Sequence, residues 1–325
     1  MPYSFAQLLD KVNAHIETLD YAHEPMNLYE PVKYILSLGG KRIRPAMMLM
    51  AYNMYRDDVE KILDPALALE IYHNFTLLHD DLMDHADVRR GKPTVHKRWD
   101  ANTAILSGDV MITLADVYMS RVDDAHFREV MATFHKTSIE IAEGQQYDMD
   151  FETRTDVTEA EYIEMIRLKT SVLLACALKI GAILGGASKE DAQHLYRLGE
   201  CIGLAFQLRD DYLDVYGDPK VFGKKIGGDI LCNKKTYLYI NALRLADKEQ
   251  RAELDYWATA TDIIPEEKIA AVTAIYTALE LPAKSRAIEE RYYSLAKAEL
   301  EALSVSAKQK EVLRQFMAML MERDV

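Results

Sequence analysis

Apolar residues recur every three or four positions along almost the whole chain, the spacing of helices that each bury one face. The pattern predicts helices near 4–20, 31–38, 43–56, 64–88, 100–121, 126–147, 158–184, 189–216, 234–246 and 266–303, and a last one near 306–323. Several ends have a local cause. Gly39-Gly40 closes the second helix, Pro45 sits where a helix can begin, Gly185-Gly186 ends another, and Gly217-Asp218-Pro219 marks a turn. No run alternates with a period of two, and neither a low-complexity linker nor a fixed-period repeat interrupts the chain. The expected fold is one all-α domain spanning 1–325.

Composition narrows the class. With 14 Gly and 9 Pro in 325 residues, turn-makers are too few for a many-stranded β protein. A net charge of −13 excludes a general nucleic-acid binder, which needs a basic stripe to displace counterions, but small anions need only a few local cations or a divalent metal. Cys176, Cys201 and Cys232 are scattered without CxxC spacing, which predicts neither a disulfide framework nor a cysteine metal site and suits a reducing, cytoplasmic compartment. The first twenty residues lack the apolar core of a signal peptide. The most apolar stretch, Ser171 to Ala187, is broken by Lys179, so no transmembrane segment is expected.

Two segments carry chemistry. His79-Asp80-Asp81-Leu82-Met83-Asp84 and Arg209-Asp210-Asp211-Tyr212-Leu213-Asp214 each contain D-D-x-x-D inside an apolar helical pattern. Positions i and i+4 share a helix face, so Asp80 projects with Asp84 and Asp210 with Asp214. Such like-charge pairs destabilise an isolated helix by roughly 0.2–0.5 kcal/mol each, so something positive must face them. Oxygen-rich sites of this kind suit Mg²⁺. Asp57-Asp58 and Asp123-Asp124, in polar settings without a third acid, read as solvated faces. Cations cluster in Lys41-Arg42-Ile43-Arg44 and Arg89-Arg90-Gly91-Lys92, a pairing that points to diphosphate. The GDPKVFGKK run at 217–225 is not a phosphate loop of the Walker type, because its glycine spacing is wrong and it follows a helix.

GGKRIRP, LLHDDLMD with DVRRGKPTVH, Gly144-Gln145, Lys169-Thr170, FQLRDDYLDVYGD, GKKIGGDI and Asn233-Lys234 occur in an order that resembles the trans-isoprenyl diphosphate synthase (polyprenyl synthetase) family. The resemblance implies an all-α helical bundle around a deep central cavity, three Mg²⁺ ions per active site and a homodimer. It implies that Asp80, Asp84 and Asp210 ligate the metals, with Asp81, Asp211 and Asp214 binding through water or supporting that shell. Arg89, Lys169, Lys224 and Lys234 would hold the allylic diphosphate. Lys41, Arg44, His73 and Arg90 would hold isopentenyl diphosphate. The Lys169 carbonyl, Thr170 and Gln207 would offer oxygens to an allylic cation formed by C–O ionisation, which isopentenyl diphosphate attacks in a 1′-4 condensation.

Product length turns on the helix carrying Asp80. Phe75, five residues earlier, stands where the family commonly places the floor that stops the growing tail. Thr76 beside it is small, and Tyr72 is a second possible stop. One aromatic floor is more like a geranylgeranyl (C20) synthase, with farnesyl (C15) the other option; alternatively Phe75 only packs against a neighbouring helix. Two rival activities stay open. A class I terpene cyclase would act on one prenyl diphosphate alone, and a non-catalytic regulatory subunit of a prenyltransferase would normally have lost acidic-motif residues.

Overall fold

The computed structural model describes residues 3–19, 23–218 and 226–322, which divide into two compact units. The first comprises the chain up to 135 with 176–193 and 304–313, and the second 136–175, 194–303 and the chain from 314. As expected, the fold is all-α. Among the described residues the strands amount to one two-residue pair.

The first unit is built on α1 (Phe5–Glu17), α2 (Met26–Ser37), α3 (Ile43–Asn53), α4 (Leu63–Met83), the hairpin β1 (Val88–Arg89) and β2 (Lys92–Pro93), the single turn α5 (Val95–Arg98), and α6 (Ala101–Met119). α7 (Asp124–Thr153) begins here. A reciprocal cap between Ser4 and Gln7 starts α1, and Asp100 caps α6 by accepting from the Thr103 amide. α4 packs chiefly on α6 and also on α3, α1 and α2. That explains why Pro65 through Tyr72 are buried without a break: a central helix has no solvent face to keep polar. Gly108 lets α6 approach this closely, since a Cβ there would sit 2.1 Å from the His79 ring.

The second unit contains α8 (Glu159–Ile166), most of α10 (Lys189–Tyr216), the single turn α11 (Gly228–Leu231), α12 (Tyr237–Leu245), α13 (Lys248–Thr259), α14 (Pro265–Ala278), α15 (Leu281–Ala302) and the end of α16 (Ala307–Met321). A π-helical turn, Arg167–Ser171, joins α8 to α9 (Val172–Gly185). One core gathers Phe151, Tyr162, Met165, Ile166, Leu204 and Leu208 with Tyr237 and Ile240 of α12. Another joins Leu238, Leu254, Val272, Ile275, Tyr276 and Leu281.

Several predicted boundaries move. The helix expected over 266–303 is two, α14 and α15, because Glu280 takes a left-handed φ of 57° and Pro282 can occupy only the first turn of a new helix. α13 was not anticipated, although Asp247 and Gln250 form its capping box. α2 begins at Met26 and runs through Pro31, where a start was expected; burial of Pro31 offsets the missing amide donor. The helix expected over 158–184 keeps its direction but carries the π turn. Glu159–Gly185 is long and apolar enough to span a membrane, with mean hydropathy 1.7, yet 83% of its most apolar window is buried in the protein. It reads as a core helix.

Candidate functional site

In the first unit, α4 brings its acidic motif to its own C-terminal end. Asp80 is half-buried, Asp81 fully buried and Asp84 exposed at the C-cap, its amide donating to the Asp80 carbonyl at 2.9 Å. The helix therefore ends at Met83, short of the expected residue 88. The chain then turns through His85, at φ 53°, into the β1–β2 hairpin. Arg90 and Gly91 both have positive φ, 52° and 74°, which the tight two-residue loop of a right-twisted hairpin requires.

That hairpin delivers two arginines to different partners. Arg89 donates its Nε and Nη2 to Asp81 at 3.0 and 2.5 Å and stands 3.9 Å from Asp80. Burial raises the Asp81 pKa and outweighs the guanidinium beside it, while on Arg89 burial is outweighed by the bond to Asp81 and by the Asp80 and Asp84 charges. Asp81 thus fastens Arg89 beside Asp80. Arg90 instead donates to the Gly39 carbonyl.

Around Arg90 the structure collects the GGKRIRP cations. Arg42, buried at a left-handed φ of 46°, donates to Glu70 at 2.5 Å and to the Leu36 carbonyl at 2.7 Å, and Asn74 also donates to Glu70. This buried network escaped the sequence reading because Glu70 lies in an apolar run with no local sign of its partner. It anchors α3 to α4, the helices that carry Arg44 and His73. The Arg44 Nε is buried with no hydrogen-bond partner. Burial and the neighbouring Arg90 push the Arg44 pKa down to about 10. His73 falls well below the usual imidazole value, first through burial and then through Arg44, Arg90, Arg89 and Arg42, so its ring is neutral at pH 7. Burial and arginine neighbours lower Arg90 likewise. Cations crowded against their own charge make a site for a multiply charged anion. Lys41 is exposed at the margin.

Gly40 has a specific reason to be glycine. At φ 146° a Cβ would lie 3.0 Å from the Arg90 guanidinium. Gly40→Ala is expected to displace Arg90 and weaken the binding of inorganic pyrophosphate to this pocket about tenfold, the value of one charge-assisted hydrogen bond. Titration calorimetry with pyrophosphate checks this, and an unchanged affinity would mean that the Arg90 position does not depend on Gly40.

In the second unit, α10 carries the other motif, with Asp210 and Asp214 half-buried and Asp211 buried. Asp214 accepts from the Asp229 amide at 2.9 Å, tying α10 to the turn at α11. Asp211 accepts from the Tyr162 hydroxyl and from Gln207 Nε2 at 3.0 Å. Burial lifts its pKa to about 6, against Lys234 and these two donors. Thr170 Oγ1 donates to Gln207 Oε1 at 3.1 Å, and Lys169 Nζ donates to Asp148 at 2.6 Å. Asp148 is held below the usual carboxylate range: burial opposes the shift, but Lys169 and Lys234 prevail. Lys169 and Thr170 lie in the π turn, where Gly144 makes room, since a Cβ there would come within 2.3 Å of the Lys169 amide. Tyr162 and Asp148 are the residues the sequence reading missed; each sits on a helical repeat that reads as ordinary core or surface. The predicted cation Lys224 lies outside the described residues.

Phe75 is half-buried on α4, edge-on to both Tyr72 and His79, and Tyr72 meets Phe134 in the same way. At 3.6 residues per turn Phe75 is rotated about 140° from Asp80, whereas Thr76 is rotated only about 40°. Thr76 donates its hydroxyl to the His73 carbonyl at 2.8 Å.

The arrangement has known relatives. The polyprenyl synthetase family model matches residues 25–277. The chain is 43% identical over 264 residues to the geranylgeranyl diphosphate synthase of Methanosarcina mazei, covering 81% of this chain and 80% of that one. It is 41% identical over 248 residues to the short chain isoprenyl diphosphate synthase of Methanocaldococcus jannaschii, with 76% and 75% covered. A crystal structure of a geranylgeranyl pyrophosphate synthase superposes with a TM-score of 0.94 at 42% identity, over 99% of this chain and all of that one. Since the matched segment holds both acidic motifs, the glycine-led cation loop and the π turn, the chain belongs to the polyprenyl synthetase family.

Proposed function

We propose that the protein is a short-chain trans-prenyltransferase that joins isopentenyl diphosphate to allylic diphosphates and releases geranylgeranyl diphosphate (C20). The observation that carries this reading is the crowding of Arg44, Arg90 and neutral His73 beside the acidic end of α4: a cation pocket for one diphosphate next to carboxylates that need metal to hold another. Retention of both acidic motifs argues against a regulatory subunit, and the cation loop has no use in a cyclase acting on one substrate.

The donor set fits Mg²⁺. Among the described residues no three His, Cys, Asp or Glu side chains converge enough to hold a metal alone. Mg²⁺ takes one or two carboxylates and completes its octahedron with water and phosphate oxygens, so within the first unit Asp80 and Asp84 are the proposed ligands with Asp81 in support, and within the second Asp210, with Asp211 and Asp214 in support, as the family resemblance implies. Bound Mg²⁺ would supply Lewis-acid stabilisation to the departing diphosphate. The chain's own residues do the rest. Arg89, held by Asp81, and Lys169 and Lys234 add positive charge toward the allylic diphosphate. Arg44, Arg90, Lys41 and His73 fix isopentenyl diphosphate, His73 through a neutral N–H. Thr170 and the Lys169 carbonyl offer oxygens to the allylic cation, preorganised before charge develops.

A homodimer is supported by exposed apolar side chains on the first unit, with Ile105, Leu106 and Val117 on α6 at 44%, 58% and 44% exposure and Phe127 at 43%. The cysteines are reduced, with Cys232 exposed, which suits a cytoplasmic setting.

The deciding assay mixes the protein, Mg²⁺ and isopentenyl diphosphate with dimethylallyl, geranyl or farnesyl diphosphate, and separates products by length. A C20 product abolished by EDTA is expected; no elongation from any primer by folded protein overturns the reading. In the same assay Phe75→Ala is expected to add one or more five-carbon units. An unchanged length would place the floor elsewhere and leave Phe75 a packing residue of the Tyr72–His79 row.

A further inference from the structure

Tyr162 is 1% exposed, and its hydroxyl donates to Asp211. The bonds beyond it run in one direction. Gln207 turns its amide nitrogen to Asp211 and donates to Oδ1 at 3.0 Å. The Gln207 oxygen is thereby turned toward Thr170, and since an amide oxygen only accepts, the Thr170 hydroxyl must donate across the 3.1 Å contact. The hydroxyl proton is then committed, and Thr170 Oγ1 can offer only lone pairs to anything else. The π turn holds Thr170 in place. Gly203 lets α10 close on that turn, since a Cβ there would meet Ser171 at 2.6 Å.

We propose that Tyr162 is a positioning residue that, through Asp211 and Gln207, locks Thr170 with its oxygen lone pairs available to the allylic cation. The proposal rests on the prenyltransferase reading above. With Gln207 flipped, its amide nitrogen would donate to Thr170 Oγ1, the Thr170 proton would be released to point at the cation, and an attractive dipole would become a repulsive one. Tyr162 takes the second oxygen of Asp211, which holds the carboxylate in the one orientation that receives Gln207.

A double-mutant cycle tests it. Tyr162→Phe, which deletes only the hydroxyl, is expected to lower the single-turnover condensation rate about tenfold, with both KM values within twofold, as loss of one bond to a charged group would. In a Thr170→Val background the same substitution is expected to change the rate less than twofold, because no hydroxyl remains to orient. An equal tenfold loss in both backgrounds overturns the proposal, and so does a rise in KM at constant rate. A second readout needs neither metal nor substrate. In glutamine-labelled protein the ¹⁵N side-chain amide pair of Gln207, identified by its loss in Gln207→Leu, is expected to shift in Tyr162→Phe and again in Thr170→Val. Unmoved resonances overturn the chain of bonds itself. If Tyr162→Phe does not fold, Thr170→Val gives the same test from the other end. Failure of the wild-type protein to elongate any primer would instead overturn the prenyltransferase reading, and the amide spectrum distinguishes the two failures.

Discussion

Asp80→Ala is expected to lower the condensation rate about a thousandfold while leaving the helical circular dichroism unchanged, the scale of losing one preorganised electrostatic contact to a leaving group. Asp80 stands one turn before Asp84 on the helix that also buries Asp81, so removing it relieves like-charge repulsion, and the melting temperature should hold or rise. Asp210→Ala should behave alike. Asp81→Ala should not: it frees Arg89 from two short bonds, so both rate and stability fall. Single-turnover kinetics at saturating Mg²⁺, paired with thermal melts, separates the cases. A near-normal rate for Asp80→Ala would strip that carboxylate of its proposed metal role.

Arg42→Met is expected to destabilise the protein by about 3–5 kcal/mol, because it strands Glu70 in the core without its counter-charge. Arg42 and Glu70 side chains are only 5% and 3% exposed, so solvent has little access to replace the guanidinium. Among the described residues Asn74 then remains as the donor to Glu70. Adding Glu70→Leu should restore most of the loss, since a buried ion pair exchanged for packed apolar groups is often neutral or stabilising. Urea denaturation of the two single variants and the double variant measures this. Additive losses would mean that the pair does not act as a unit. The restored double variant should still bind isopentenyl diphosphate weakly if the pair also sets the orientation of Arg44 and His73.

Helix content was legible because each helix advertises its buried face locally. The failures came where a local signal was ambiguous. The break at Glu280 is an ordinary residue forced into a left-handed conformation, and only Pro282 hints at it. The hairpin at 88–93 has two-residue strands, too short to show alternation, although its Arg90-Gly91 turn was in view. The π turn at 167–171 left no trace in periodicity, since α8, the turn and α9 share one apolar pattern. Its surroundings are tertiary: Gly144 and Gly203 admit neighbouring helices within 2.3 and 2.6 Å of it, measured to a hypothetical Cβ.

The amino-acid order alone determined the helical class, the two acidic motifs, the cation loop and the family resemblance, because side-chain chemistry and short spacings are local properties. Only the tertiary structure decided which charge answers which. Arg89 could have served any of three aspartates, and burial of Asp81 selects it. Arg42 reads like its neighbours Lys41 and Arg44, yet it is spent on Glu70 while Arg44 keeps an unsatisfied nitrogen. Tyr162 looks like core, and 49 residues separate it from the carboxylate it orients. Desolvation makes these choices: a buried charge or hydroxyl must find a partner, and which partner is within reach is settled by packing between segments far apart in the chain.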